Sequence, residues 1–236
     1  MNLLLGDHHV HSTFSDDAVA TVGENIAAAH ARGLTTLRLV DHVRGSTTWV
    51  PDYLAAVRAE PTRGVTVLTG VETKLLDSAG RLDLPAGLPP LDAILIADHQ
   101  FPGADGPWTP AETVEKGLAA ADLADLLITA YVNAMAQIDN GQLAHPFSIL
   151  PKIGLSEDDL SDEHLREWAT SAASTGTLIE INEKWGCPGP RALQAAQTAG
   201  ATLVASTDSH QAADVGRYKK VTELLRGLTL GGGGGS

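Results

Sequence analysis

The stretch LLLGDHHVHSTFSDD, residues 3–17, runs from an apolar segment directly into histidines and carboxylates. Its apolar part predicts a short β-strand over residues 3–10. On a strand, His9 and His11 lie two residues apart and therefore point to the same face, while His8 points to the other. A single His-x-His pair is weak evidence for a metal site. The same arrangement, a strand that ends in chemically active side chains, recurs along the chain.

Six further apolar runs of strand length follow, and helical segments fill most gaps between them. The predicted strands span residues 35–43, 65–75, 91–98, 142–147, 177–182 and 202–207. After the third strand, the segment DSAG at 77–80 predicts a turn in place of a helix. Seven strands that alternate with helices predict parallel βα units, arranged as an open doubly wound sheet or as a closed barrel.

The helix boundaries carry recognisable signals. Thr21 with Glu24, and Thr109 with Glu112, have the capping-box pattern, in which each side chain bonds to the backbone of the other residue. Gly33 is placed to end the first helix. Helices are predicted at 25–32, in the alanine-rich segment after 112, and at 161–174, 191–198 and 218–226.

Length and composition predict one large domain over residues 1–230, followed by a Gly/Ser linker at 231–236 that is excluded from the fold. The chain has 236 residues, 43% of them hydrophobic, and no apolar run long enough for a membrane span. The start of the chain lacks the features of a signal peptide, and the single cysteine, Cys187, fits a reducing compartment. A cytoplasmic protein is therefore expected, with Cys187 as a structural thiol.

The formal net charge of −13 bears on the class of substrate. A surface of this sign repels the phosphate backbone of nucleic acids, which proteins usually meet with a basic stripe. A small substrate is therefore favoured over a long polyanion.

Metal-ligand residue types recur at or just beyond the predicted strand ends. Besides His9 and His11, they are His42, Glu72, His99, His145, Asp208 and His210. A parallel barrel gathers the carboxyl ends of its strands at one mouth, so these residues would converge there. Imidazole and carboxylate together suit Zn, Mn or Fe better than Ca. His30 and His164 fall in predicted helices and are interpreted as surface residues.

Seven short stretches contain metal-ligand residue types and their neighbours: DHHVHSTFSDD at 7–17, VDH at 40–42, GVE at 70–72, ADH at 97–99, AHP at 144–146, EIN at 180–182 and TDSH at 207–210. Through these stretches the sequence resembles the PHP (polymerase and histidinol phosphatase) superfamily, and most closely its stand-alone histidinol-phosphatase-like branch. They follow the family's order. Thr207 and Ser209 depart from the family's usual final motif, which should alter only the surroundings of the ligands.

The resemblance implies a distorted seven-stranded (βα)7 PHP-type barrel with a trinuclear metal site. The ligands are carried over from the family's motifs. The first metal would be held by His9, His11, Glu72 and Asp208, and Glu72 would bridge to the second metal, which His99 and His145 would also hold. The third metal would be held by Asp17, His42 and His210. The adjacent Asp16 leaves open which carboxylate is the ligand, although the branch's spacing favours Asp17.

The chemistry expected of such a site is phosphate ester hydrolysis. Clustered divalent metals lower the pKa of a bound water, so that a hydroxide near pH 7 can attack phosphorus in line with the leaving alkoxide. Glu72, Asp208 and His210 are the ligands predicted to take part in catalysis. The predicted phosphate-binding cations are Arg44, Lys184, Arg191 and Arg217.

Three alternatives remain beside a small phosphomonoester phosphatase. One is a phosphodiesterase or nuclease of the same family. A second is an amidohydrolase, although strand four lacks the lysine that typically bridges the metals of that class. A third is a non-catalytic metal-binding scaffold, which would be expected to have lost ligands. The substrate, the native metal and the oligomeric state stay open.

Overall fold

Seven parallel strands form the centre of the protein in the computed structural model, which describes residues 2–231. The strands within these residues are β1 (Gly6–Val10), β2 (Thr36–His42), β3 (Thr66–Lys74), β4 (Ala93–Ala97), β5 (Phe101–Pro102), β6 (Pro107–Trp108), β7 (Gly141–Ala144), β8 (Leu178–Asn182) and β9 (Leu203–Ser206). Strands β5 and β6 pair only with each other. The others are ordered β1-β2-β3-β4-β7-β8-β9.

The helices surround these strands. They are α1 (Val22–Ala31), α2 (Val50–Ala59), α3 (Pro110–Glu115), α4 (Ala120–Met135), α5 (Asp162–Thr175), α6 (Pro190–Ala199) and α7 (Lys220–Gly231). Short 3-10 turns occur at Leu3–Leu5, Leu150–Ile153 and Glu157–Asp159.

The two outer strands, β1 and β9, meet and nearly close the sheet into a barrel. The backbone N–H of His11 donates to the carbonyl of Ser209 at 2.8 Å. The buried carboxylate of Asp7 accepts bonds from the backbone N–H of Thr207 at 2.9 Å and from its hydroxyl at 2.7 Å. The predicted α/β barrel is thus confirmed over the open sheet.

The predicted capping signals hold in the structure, but some helix bounds differ. Helix α1 begins at Val22 and not at residue 25, and α7 spans Lys220–Gly231 and not 218–226. The segment after 112 forms two helices, α3 and α4. Thr21 with Glu24 and Thr109 with Glu112 form complete capping boxes at the starts of α1 and α3. Gly33, with φ of +70°, takes the left-handed conformation just after α1. His164 is part of a further capping box, with Ser161 at the start of α5, and its ring also contacts Asp125 at 2.8 Å.

Three further elements differ from the sequence-based expectation. Strand β1 begins only at Gly6, because Leu3–Leu5 form a 3-10 turn capped by the side chain of Asn2. Helix α2 was not among the predicted helices; its N-cap is Trp49, which makes no side-chain capping bond. The hairpin β5-β6 was also not predicted, since each strand has only two residues and both contain proline.

Aromatic side chains anchor the largest part of the hydrophobic core, between the barrel and helices α4 and α5. Trp168 on α5 is fully buried and its ring centroid lies 5.0 Å from that of Phe147. The ring of Tyr131 on α4 packs edge-on against that of Phe147, with centroids 5.7 Å apart. The residues after β7 are therefore held rigidly beside the barrel mouth.

No helix within residues 2–231 is long and apolar enough to cross a membrane. Helix α7 continues through Gly231, the first residue of the predicted linker. The rest of that linker, 232–236, lies outside the described residues.

Candidate metal centre

The nine predicted ligands come together at the carboxyl-terminal mouth of the barrel. His9 lies in β1 and His11 just beyond it; His42 ends β2, and Glu72 lies near the end of β3. His99, His145, Asp208 and His210 lie in the segments that follow β4, β7 and β9, and Asp17 lies in the loop after β1.

The first group joins His9, His11 and Asp208, which are all buried. The Nε2 atoms of the two histidines are 2.9 Å apart. Each lies 3.4 Å from Oε2 of Glu72, and the Nε2 atom of His11 is 3.3 Å from Oδ1 of Asp208. The side chains of the four residues predicted for the first metal, which lie on or just after β1, β3 and β9, are thus close to one another.

Glu72 is the centre of the whole cluster. Its Oε1 atom lies 3.0 Å from Nε2 of His145 and 3.2 Å from Nε2 of His99. Its Oε2 atom lies 2.9 Å from Nδ1 of His42. One carboxylate is therefore in contact with imidazoles on both of its oxygens, as a bridging ligand requires.

The third group lies at the more exposed edge of the mouth. The Oδ2 atom of Asp17 is 3.2 Å from Nε2 of His210, and its Oδ1 atom is 3.5 Å from Nε2 of His42. Asp16 faces Arg44 instead, at 4.0 Å. His42 has one nitrogen toward Glu72 and the other toward Asp17, so it lies between two of the predicted sets.

A buried network fixes the loop that carries Asp17. The carboxylate of Asp41, next to His42, accepts bonds from the backbone N–H and hydroxyl groups of both Ser12 and Ser15, at distances between 2.6 and 3.0 Å. The Ser15 hydroxyl also lies 3.2 Å from Nδ1 of His11. This network sets the course of the chain from β1 to Asp17.

The EIN motif at 180–182 has no role predicted from the sequence, and in the structure its glutamate supports His9. The Oε2 atom of Glu180 is fully buried and lies 2.9 Å from Nδ1 of His9. The same atom accepts a bond from the side chain of Gln142 at 2.9 Å, and Asn182 donates to the other oxygen. A histidine whose Nδ1–H is held by a carboxylate presents the lone pair of its Nε2 to the site, as metal-binding histidines usually do.

His145 has a similar outer partner. Asp98 accepts a bond from the hydroxyl of Ser148 at 2.6 Å and lies 3.6 Å from Nδ1 of His145. The backbone of His145 has φ of 64°, and that of Asp208 has φ of 53°. Such left-handed conformations are uncommon for residues other than glycine and concentrate at functional sites.

The pKa values of Glu72, Asp208 and His145 are shifted toward the charged forms of these side chains. Burial by itself would raise the pKa of Glu72, but His99, His9 and the other neighbouring imidazoles hold it well below its usual value. The same opposition of burial and imidazoles lowers the pKa of Asp208. Burial would lower the pKa of His145, but Asp98 and Glu72 raise it to about 10. Both central carboxylates are therefore anionic at neutral pH, the form that binds metal.

The donor set fits divalent cations. Among the described residues, the buried Oε2 atom of Glu72 has no hydrogen-bond partner, although three ring nitrogens lie within 3.4 Å of it. A buried carboxylate oxygen without a hydrogen bond is costly unless it contacts a cation. Its neighbours are imidazole nitrogens, and this mixture of ligands is typical of Zn, Fe and Mn sites.

A cavity of about 310 Å³ opens over the cluster and contains two of the predicted phosphate-binding cations, Arg44 and Lys184. Arg217 lines an adjoining cavity of about 530 Å³, together with Lys184 and His210. Lys74 and Trp185 also line the cavity over the cluster, and sequence analysis missed both. Their positions in the sequence could have indicated both, because Lys74 is two residues after Glu72 on the same strand and Trp185 follows Lys184.

Arg191 does not reach the cluster, contrary to the sequence-based prediction. Its guanidinium donates to the carbonyls of Glu157 and Leu160, at 2.9 and 3.0 Å, and to Asp162 at 2.7 Å. The start of α6 turns this side chain toward the segment before α5. Arg191 therefore ties two outer segments together and lines a separate cavity between α5 and α6.

A parallel βα barrel with a histidine–carboxylate cluster at its mouth defines a metal-dependent barrel enzyme. The chain belongs to the PHP domain family, whose model matches residues 7–184. The predicted family is thereby confirmed.

Relatives and a solved structure agree with this family. A probable phosphatase from Caldanaerobacter subterraneus subsp. tengcongensis is 28% identical over 96% of this chain and 84% of its own length. A probable phosphatase from Thermoanaerobacter sp. (strain X514) is 26% identical over 96% of this chain and 86% of its own length. These relatives confirm the predicted enzyme class, a phosphatase.

The fold is similar to that of the histidinol phosphate phosphatase from Lactococcus lactis subsp. lactis, solved in complex with zinc, L-histidinol and phosphate. The TM-score is 0.68 at 15% identity, over 96% of this chain and 93% of that one. This similarity concerns the fold. Together with the His, Glu and Asp clusters of this chain, it is consistent with divalent metal binding.

Proposed function

We propose that the protein hydrolyses a small phosphomonoester at a site that holds three divalent cations. The observation that carries the proposal is the position of Glu72, whose two oxygens contact imidazoles from three other segments of the barrel mouth. The names of the curated relatives, probable phosphatases, support the type of reaction.

Nine residues would hold the cations: His9, His11, Asp17, His42, Glu72, His99, His145, Asp208 and His210. When bound, such cations supply a hydroxide at neutral pH and neutralise charge on the phosphoryl oxygens. Zn, Mn and Fe are the metals that this mixture of nitrogen and oxygen ligands favours.

The remaining residues of the site bind and orient the substrate. Lys184 and Arg44 bring positive charge to the cavity over the cluster. The indole N–H of Trp185 donates to Oδ2 of Asp208 at 2.8 Å, which fixes the orientation of that carboxylate. Glu72, Asp208 and His210 are the residues that we assign to the reacting centre.

The size and charge of the site support a small substrate. The cavity over the cluster, about 310 Å³, has room for a phosphoryl group and a small leaving group. The adjoining cavity can take a larger leaving group. A net charge of −13 opposes binding of a nucleic-acid strand.

The test is a substrate screen with the Mn-, Zn- and Fe-loaded protein. We expect release of phosphate from one or more phosphorylated metabolites, among sugar phosphates, amino-alcohol phosphates including histidinol phosphate, and nucleotides. The Glu72→Ala variant, purified in parallel, controls for contaminating phosphatases. Processive degradation of single-stranded oligonucleotides, faster than turnover of any monophosphate, would show that the proposal is wrong.

A further inference from the structure

Two lysine ammonium groups line the cavity over the cluster, from different sides of the barrel. Lys74 is the last residue of β3 and lies two residues after Glu72, so both belong to the same face of that strand. Lys184 follows the end of β8. In the order β1-β2-β3-β4-β7-β8-β9, strands β3 and β8 are three positions apart in a nearly closed ring of seven. The two lysines thus approach the cluster from roughly opposite directions.

The three cationic side chains of this cavity, Arg44, Lys74 and Lys184, differ in their partners. Arg44 is 61% exposed and faces the exposed carboxylate of Asp16 at 4.0 Å. The ammonium of Lys184 lies 3.4 Å from Oδ2 of Asp208. Lys74 is partly buried, and within the part of the chain that the structure describes its ammonium makes no hydrogen bond or ion pair.

A lysine without an ion-pair partner among the described residues stands out in a chain with 29 acidic and 16 basic residues. Four carboxylates line the same cavity, and each faces another partner, namely Arg44, histidines, Lys184 or Trp185. The ammonium of Lys74 is therefore available to an anion that enters the cavity.

We propose that Lys74 is a phosphate-binding residue that acts from the side of the cavity opposite Lys184, and that the pair selects phosphomonoesters over phosphodiesters. The inference rests on the proposed function. A monoester dianion has three non-bridging oxygens and about twice the charge of a diester, near neutral pH. Two ammonium groups on different sides can each contact such an oxygen, whereas a diester presents a second organic group toward one of them.

The first test compares Lys74→Met, which removes the charge and keeps most of the length, with Lys74→Arg and Lys74→Gln. Hydrogen bonds to charged groups contribute enough that we expect about a 10- to 100-fold rise in KM for p-nitrophenyl phosphate. The change in kcat/KM for bis(p-nitrophenyl) phosphate should be below about threefold, since the second organic group of a diester keeps its oxygens from close contact with Lys74. Lys74→Arg should recover part of the loss.

Lys116→Met provides the matched control, because Lys116 lies over the ring of Trp108 at 4.0 Å and does not line this cavity. It should leave both activities unchanged. Metal content and the midpoint of thermal unfolding, measured for every variant, identify any variant that has lost its fold. Should Lys74→Met fail to fold, Lys74→Gln carries the test.

A binding measurement separates this inference from the proposed function. Titration calorimetry with inorganic phosphate on the metal-loaded protein should show about a 10- to 100-fold weaker Kd for Lys74→Met at unchanged metal content. If the wild-type protein hydrolyses no monophosphate with any metal, the proposed function fails, and this titration still tests Lys74. Equal losses for monoester and diester, or a phosphate Kd unaffected by Lys74→Met, would overturn the inference.

Discussion

The Nε2 atom of His145 lies 3.0 Å from the Oε1 atom of Glu72, although 73 residues separate the two in the chain. The other oxygen of Glu72 lies 2.9 Å from Nδ1 of His42. Because a carboxylate has two oxygens, each able to bind a cation, Glu72 can serve two metals, whereas a neutral imidazole offers one free nitrogen. The stoichiometry of bound metal should therefore depend on Glu72 more than on any single histidine.

Removal of Glu72 should loosen two metals together. We expect Glu72→Ala to lower bound metal by more than about one equivalent and to leave almost no turnover. Asp17→Ala should lose about one equivalent and keep residual activity, because Asp17 contacts only the outer group. Elemental analysis and kinetics measure both. Glu72→Gln keeps the shape without the charge; wild-type metal content and rate in this variant would mean that Glu72 is only a buried structural carboxylate.

Chelation should abolish activity. Dialysis against a strong chelator is expected to stop hydrolysis of p-nitrophenyl phosphate, and addition of Mn or Zn should restore it, because the chain provides no evident nucleophile of its own. Circular dichroism before and after dialysis controls for unfolding. Full activity in protein shown to be free of metal would contradict a metal-dependent mechanism.

Glu180 should act through His9 and not by contact with substrate. Outer partners of metal-binding histidines typically contribute about 10- to 100-fold to metal affinity or activity. We therefore expect Glu180→Gln to weaken metal binding by about that factor, measured by competition with a chromogenic chelator. Glu167→Gln, at an exposed position on α5, is the matched control. Unchanged metal affinity in Glu180→Gln would refute this role.

Thr21 should contribute to stability but not to the site. Its side chain accepts a bond from the backbone N–H of Glu24 at 3.2 Å and caps helix α1. Thr21→Ala is expected to lower the free energy of unfolding by about 1 kcal/mol in denaturant titrations. Thr62→Ala, at an exposed loop position, should have no such effect. A loss of bound metal in Thr21→Ala would show that α1 is coupled to the cluster.

Local sequence patterns were sufficient for much of the fold. The capping boxes at Thr21 and Thr109 and the glycine at 33 depend only on neighbouring residues, so they can be recognised from the sequence alone. Helix α2 lacks such a side-chain cap, and the hairpin β5-β6 is too short to show an alternating pattern. These elements depend on packing against the rest of the barrel, which a local pattern does not contain.

The sequence by itself determined which residue types stand at the strand ends, and hence the family and the predicted ligand set. The alternation within a strand fixes which side chains share a face, so His9 with His11, or Glu72 with Lys74, can be paired without coordinates. Functional residues that lie on one strand or at its ends can therefore largely be predicted from the order of residues.

Only the tertiary structure decided which ends face one another across the mouth. Closure of β9 onto β1 brings Asp208 to His11, and the left-handed backbone at Asp208 turns its carboxylate inward. Contacts between α6 and the segment around the start of α5 hold Arg191 away from the cluster, while Lys74 and Lys184 line one cavity. The physical reason is that distances between strands depend on barrel closure and on loop conformation, which are set by contacts between residues far apart in the chain.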